Sequence, residues 1–193
     1  MLGAMATAGV VPEPKTRRWT RVEYERLIEL GVFQPDERLE LLDGALVVRE
    51  PQGPRHATAV RRVVVALRRA LGEAWLVDSQ FPIALDDLSE PEPDVAVVPG
   101  PIDAYRHAHP SRPVLIVEVA DSSYRIDREH KASLYARAGV PEYWIVDLVH
   151  EAVEVHRQPE ASGYGSVQAL RPPATLIALI APDSPIAVAD LLP

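Results

Sequence analysis

The chain has 193 residues, 47% apolar and 25% charged, the profile of a single globular domain large enough for a sizeable core. It has no cysteine, which excludes disulfides, cysteine-ligated zinc and thiol catalysis. Its net charge of −8 argues against broad adhesion to nucleic acid, yet permits a local basic patch and supplies the acidic residues that a metal site needs.

No apolar run approaches a membrane span. The opening MLGAMATAGVV lacks the positive start and long apolar core of a signal peptide, so the cytoplasm is the expected compartment. Residues 1–18 are rich in Pro and Ala and are expected to be disordered, leaving one domain over 19–193. Thr20, with Glu23 three residues on, forms a capping box, and the stripe Tyr24, Leu27, Ile28 ends at Gly31. Arg38–Leu42 and Ala45–Arg49 flank Asp43-Gly44, a strong type I′ hairpin signal. Glu40 falls on the first of these strands, where a solvated position is the plainer reading.

After the turn Pro51–Pro54, a helix is predicted over Arg55–Leu71, ended by Gly72. Val60, Val63, Val64, Leu67 and Leu71 form its buried stripe, with His56 on the same side at the helix start. Arg61, Arg62, Arg68 and Arg69, with Arg55 nearby, take the opposite side. A solvated face is the simpler account of them, and a phosphate-contacting strip the sharper one. Trp75–Ser79 and Phe81–Leu85 read as consecutive strands with Gln80 at a bend, followed by an acidic, Pro-punctuated loop. Asp94–Val98 is the next buried strand, opened by Asp94 directly after Pro93. The connection Gly100–Pro113 holds His107 and His109, but nothing near them completes a metal site.

Val114–Val119 is an apolar run suited to a strand buried on both faces, and Glu118 lies inside it. A carboxylate there is costly unless a charge or donor meets it. A helix over Asp127–Ala138 follows, then a second apolar strand, Tyr143–Val146: a parallel crossover unit. Lys131 shares a helix face with Leu134, Tyr135 and Ala138, which should pack on the sheet. Of the 20 basic residues only Lys15 and Lys131 are Lys. Lys is a compact charge whose pKa shifts readily, Arg a planar fork that stays charged. Spacing alone leaves two readings of Lys131 open, a surface pair with Asp127 at i, i+4 or a functional cation. The chain closes with a strand at Ala152–Arg157, antiparallel to its predecessor, a Gly-rich turn at Ser162–Ser166, strands at Leu176–Ile180 and Pro185–Val188, and a terminal turn at Ala189–Leu192.

Asp94, Glu118 and Lys131 are the three anomalous charges. Two carboxylates on neighbouring strands make a hard-oxygen site suited to Mg²⁺ or Mn²⁺. Pro93-Asp94, then Glu118 in an apolar strand, then a Lys, resembles the PD-(D/E)XK nuclease superfamily. Its usual Lys position, two residues after the Glu, is Ala120 here. One branch of small bacterial restriction-endonuclease-like proteins carries that Lys on the following helix. ELLDGALV at Glu40–Val47, the Gly53–His56 turn, PDVAVV at Pro93–Val98, LIVEVADSS at Leu115–Ser123 and DREHKASLYARAGVPEYWIVD at Asp127–Asp147 are similar to that branch. The chain departs from it at Ala120-Asp121, where the branch more often has a bulkier residue and Ser-Pro.

The resemblance implies an α/β fold: a restriction-endonuclease-like mixed sheet of about five core strands flanked by helices, with an N-terminal helix and hairpin extension. It implies a Mg²⁺- or Mn²⁺-dependent endonuclease acting on DNA, with Asp94 and Glu118 as metal ligands and Lys131 as the catalytic cation. Glu40 would be a further acidic residue near the metal, and His56, Gln80 and Asp127 would stand behind the ligands. Arg55, Arg61 and Arg62 are the candidates for contact with double-stranded DNA, and a homodimer would supply two sites for two strands. A nuclease-fold protein that binds nucleic acid or a partner without cutting stays open, favoured by the net charge. A purely structural protein leaves Glu118 unexplained.

Overall fold

The computed structural model describes residues 16–193 apart from Pro35, Glu50 and Ser122. The expectation for the N-terminus therefore lies, up to Lys15, outside the described residues. Helix α1 (Arg21–Glu29) starts with the expected capping box, Glu23 N–H donating to Thr20 Oγ1 at 3.3 Å and Thr20 N–H to Glu23 Oε2 at 3.0 Å. Strands β1 (Leu39–Leu42) and β2 (Ala45–Val48) form an antiparallel hairpin. Its turn residues Asp43 and Gly44 both have positive φ, 49° and 79°, as a type I′ turn requires. A Cβ on Gly44 would also lie 2.7 Å from Arg18 Cβ, so only glycine fits.

Helix α2 (Pro54–Leu71) follows, then β3 (Trp75–Asp78), β4 (Val95–Pro99) and β5 (Leu115–Ala120). A π-helical turn, Ile126–Lys131, runs directly into α3 (Ala132–Arg137), and β6 (Glu142–Asp147), β7 (Ala152–Glu160) and β8 (Gly163–Leu170) complete the main sheet. Its order is β3-β4-β5-β6-β7-β8, with β5 and β6 parallel and every other pair antiparallel. A small ladder, β9 (Thr175–Leu176) with β10 (Ile186–Ala187), closes the chain. This is the mixed, helix-flanked sheet that the resemblance implies, with six strands. Among the described residues no helix is long and apolar enough to cross a membrane.

Helices cover both faces of the sheet. Ala59, Val60, Val63 and Leu67 of α2 pack on one face, against Val95, Val97, Val117, Val119 and Trp144. Ala132 and Tyr135 of α3 pack on the other, against Ile116, Ala120, Tyr143 and Ile145. Residue 118 has the parity of Ile116 and Ala120, so Glu118 faces the π-turn and α3.

Four expectations need correction. The strand expected over Leu176–Ile180 is reduced to the two-residue β9, and residues 177–180 are not strand. Phe81–Leu85 is extended but not a strand. The N–H groups of Ile83 and Ala84, and of Gln80 just before the segment, donate to carbonyls of Pro91, Pro110 and Pro93, and proline has no N–H with which to return the bond. Ser162–Ser166 is not merely a turn, since residues from Gly163 onward form the eight-residue edge strand β8. Two glycines and a half-solvated face hid it, whereas register against β7 builds it. The Lys131 helix opens as a π-turn, with Ala132 N–H donating to Asp127 O five residues back.

Candidate functional site

The antiparallel β4–β5 ladder ends at Val95↔Val117. One step further on, Asp94 stands opposite Glu118, its N–H donating to Glu118 Oε2 at 3.3 Å, while Val119 N–H donates to Asp94 Oδ2 at 2.9 Å. The two carboxylates are thus fixed by main chain as well as by side chains. From the far side of the sheet α2 brings His56, whose Nε2 lies 3.0 Å from Asp94 Oδ2. From the turn before α2, Gln52 Nε2 donates to Asp94 Oδ1 at 3.1 Å, and Gln80 in turn donates to Gln52 Oε1 at 2.6 Å.

Lys131 enters from the opposite face. Its Nζ lies 3.0 Å from Glu118 Oε1, 3.2 Å from Glu40 Oε1 and 3.9 Å from Asp127 Oδ1. Lys131 is 6% exposed and Asp127 2%, so the i, i+4 neighbours form a buried pair and the surface-pair reading fails. Tyr135, one turn on, donates to Glu118 Oε1 at 2.8 Å. Glu40 is buried as well, which corrects the solvated reading of its strand. The hairpin is pinned beside α3 by the Asp43–Arg137 ion pair at 2.6 Å and paired to the acidic loop at Leu41↔Glu90. That packing turns Glu40 inward.

These elements enclose a cleft of about 220 Å³ whose wall includes Glu40, His56, Asp94, Glu118, Asp127 and Lys131. Six of the candidates from sequence therefore meet in one place, and Gln80 reaches it through Gln52. The arginine candidates do not line it. Arg55 donates to Leu148 O at 2.8 Å, and Arg61 and Arg62 lie exposed further along α2. His107 and His109 are exposed and play no part in it. Arg49, Gln52 and Tyr135 belong to the site without being marked as functional by the sequence. Arg49 and Gln52 follow β2 with no local pattern to mark them. The helical period puts Tyr135 on the correct helix face, where its spacing marks it only as core.

The charges do not balance. Four buried carboxylates, Glu40, Asp94, Glu118 and Asp127, are met by the ammonium of Lys131 and by Arg49, 3.9 Å from Asp94 and 2.6 Å from Glu92. Burial pushes the Glu118 carboxyl up to about 8, with Lys131 opposing and Asp94, Asp127 and Glu40 adding to the rise. Burial likewise lifts Asp127 to about 6, against Lys131 and the Ser123 hydroxyl. For Asp94 burial is outweighed by His56, the Val119 N–H and Lys131, and its carboxyl stays below the ordinary range. Burial opposes the charge on Lys131, but Glu118, Glu40 and Asp127 hold it protonated well above the usual lysine range.

A divalent cation suits this donor set. Its ligands are hard carboxylate oxygens, and the surplus negative charge is what Mg²⁺ or Mn²⁺ neutralises. The set is not pre-assembled as a cage. Among the described residues no group of three or more His, Asp or Glu is spaced to hold a metal, and the Lys131 ammonium lies between Glu40 and Glu118.

Comparison with known proteins bears on the fold and the family. A solved structure described as "a putative nuclease belonging to DUF820", from Anabaena variabilis, superposes with a TM-score of 0.69 at 16% identity, over 89% of this chain and 96% of that one. At that identity the likeness establishes the fold. No curated protein matches significantly. The model of the Uma2 family, described as "Putative restriction endonuclease", matches residues 21–189. That span is nearly the whole chain, and the chain belongs to the Uma2 family, within the restriction-endonuclease-like superfamily.

Proposed function

We propose that the chain is a metal-dependent endonuclease that hydrolyses phosphodiester bonds in DNA. Family membership supports nuclease function in general. The observation that carries the finer reading is the convergence of Asp94, Glu118 and Lys131, from two strands and the helix after them, in one acidic cleft.

In this reading Asp94, Glu118 and Glu40 hold Mg²⁺ or Mn²⁺. A bound ion supplies a Lewis acid for a phosphoryl oxygen and lowers the pKa of a bound water. The remaining work falls to the chain's own groups. His56 and the Val119 N–H keep Asp94 ionised and oriented. Tyr135 and the Asp94 N–H fix both oxygens of Glu118. Lys131, held cationic, presents a donor that can orient the attacking water and offset charge developing on the phosphoryl group. Cutting both strands of a duplex takes two such clefts, which a homodimer supplies.

One observation favours a binding module that does not cut: Lys131 bridges Glu118 and Glu40 and so occupies the carboxylates. Assays separate the two readings. Purified protein should nick or cut supercoiled and linear DNA with Mg²⁺ or Mn²⁺, and should do neither in EDTA. Glu118→Ala and Lys131→Ala should abolish cleavage. Metal-independent cutting removes the metal-dependent reading, and full activity in both variants removes Asp94, Glu118 and Lys131 as its site. Folded wild type that is inactive with every metal supports the silent one.

A further inference from the structure

Helix α2 carries five arginines, Arg55, Arg61, Arg62, Arg68 and Arg69, and no acidic residue over its 18 positions, in a chain of net charge −8. Two of the five are occupied within the fold, Arg55 at Leu148 O and Arg68 at Val77 O. Among the described residues Arg61, Arg62 and Arg69 take part in no ion pair, and all three are exposed. Thr58, Arg62, Val65 and Arg69 recur at i, i+4, i+7 and i+11, which makes them one straight outer stripe. With Arg61 beside them they line a shallow groove to which Asp190 also contributes. The first turn of α2 reaches the cleft, since Gly53, its N-cap, and the buried His56 both line the cleft wall, and the stripe begins at Thr58 on the outer side of the helix.

We infer that this stripe is the backbone-phosphate track on which duplex DNA lies as it enters the cleft, a proposal that rests on the nuclease reading and adds its substrate-binding surface. Charge complementarity argues for this occupant. Planar guanidinium forks suit phosphate oxygens, and the Thr58 hydroxyl is a further phosphate donor. From Thr58 to Arg69 the stripe spans about 16 Å at 1.5 Å per residue, or about five base pairs at 3.4 Å each. The acidic cleft itself repels a polyanion, so the attraction that brings DNA to it has to lie outside. Asp190 is the one acidic residue in the groove lining and weakens the track.

The test is anisotropy of a labelled 20-base-pair duplex (a length of about four such footprints) with the full chain in EDTA across a salt series. Arg62→Gln/Arg69→Gln should weaken binding on the order of tenfold or more and reduce the slope of log affinity against log salt by about 2. Asp190→Asn should tighten binding a few-fold. Both variants lie on exposed positions, so thermal midpoints should match wild type. Wild-type affinity and slope in the double variant would overturn the track, as would a wild type that does not bind the duplex. Mn²⁺-dependent cleavage by the same proteins is scored separately. Intact cleavage with unchanged binding sinks the track alone, whereas weakened binding with no cleavage by wild type sinks the nuclease reading alone.

Discussion

Two of the glutamates buried in the main sheet, Glu142 and Glu118, behave oppositely. Glu142 opens β6 fully buried. Its Oε1 accepts from Trp144 Nε1 at 3.0 Å and from Arg157 Nε and Nη2 at 2.9 and 2.6 Å, and its Oε2 accepts from Leu179 N–H at 2.8 Å. That carboxylate is matched by one guanidinium and two neutral donors, and it ties the C-terminal segment to the sheet. Glu118 on β5 is as deep, but it shares one ammonium with Glu40 and Asp127 and faces Asp94 across the ladder. A carboxylate in a strand is therefore not itself a sign of chemistry. Surplus charge opening onto a cleft is the sign, because a fold seeking only stability would have balanced it.

The widest separation should come from the same substitution at both places. Glu118→Gln should lower cleavage by roughly three orders of magnitude, the scale of losing a key catalytic group. It should leave unfolding by urea unchanged or slightly harder, since the wild-type carboxyl, raised to about 8, is already partly protonated at neutral pH. Glu142→Gln should do the reverse. Stranding Arg157 without its anion costs about 3 kcal/mol of stability, while the folded fraction keeps its turnover number. A Glu118→Gln protein that unfolds as easily as Glu142→Gln would make the first glutamate structural too.

That contrast also marks what the sequence could show. The crossover from β5 to β6 was legible because apolar runs set the strands, and Glu118 and Lys131 violate those runs at positions the helical and strand periods assign to facing sides. Asp94 was legible only through its neighbours. Glu142 gave no signal, because nothing local distinguishes a strand-opening carboxylate that meets Arg157 from one in water. Glu40 could not be placed by its strand pattern. Its burial depends on the contact of Asp43 with Arg137, 94 residues away, which no local period encodes. The edge strand β8 and the extended Phe81–Leu85 failed for the same reason: pairing partners, not intrinsic preference, decide them.

Smaller, but specific to the unbalanced cluster, is its response to pH and metal. Glu118 is raised from 4.5 to about 8 and Asp127 from 3.8 to about 6, so the native state binds these protons more tightly than the unfolded chain. Their contribution is greatest below the ordinary values and is lost as pH rises through those windows. Asp94, held low, contributes above 3.8 and loses that contribution as pH falls through its depressed value. Metal-free protein should thus grow less stable from about pH 5 toward 8. Millimolar Mn²⁺ replaces the displaced protons, so its thermal stabilisation should grow over the same interval and vanish in Asp94→Asn. Thermal melts at several pH values with and without Mn²⁺ check this, and a metal shift independent of pH would contradict it.

The finest distinction concerns Tyr135. Its hydroxyl is the neutral donor on Glu118 Oε1, and its ring packs 5.0 Å from that of Tyr143. Tyr135→Phe keeps the packing and removes one hydrogen bond, a change of about 1 kcal/mol. Loss of a donor to the ionised carboxylate favours its protonated form, so Glu118 should titrate higher still. The acid limb of the cleavage-rate profile should then move to higher pH, while the rate at the alkaline plateau falls less than about tenfold. At Glu142 the matching change, Trp144→Phe, removes a neutral donor from a carboxylate that plays no part in turnover. It should lower stability and leave the rate profile where it was. If Tyr135→Phe likewise moves only stability, Glu118 does not titrate in the rate-determining state, and its surplus charge serves binding alone.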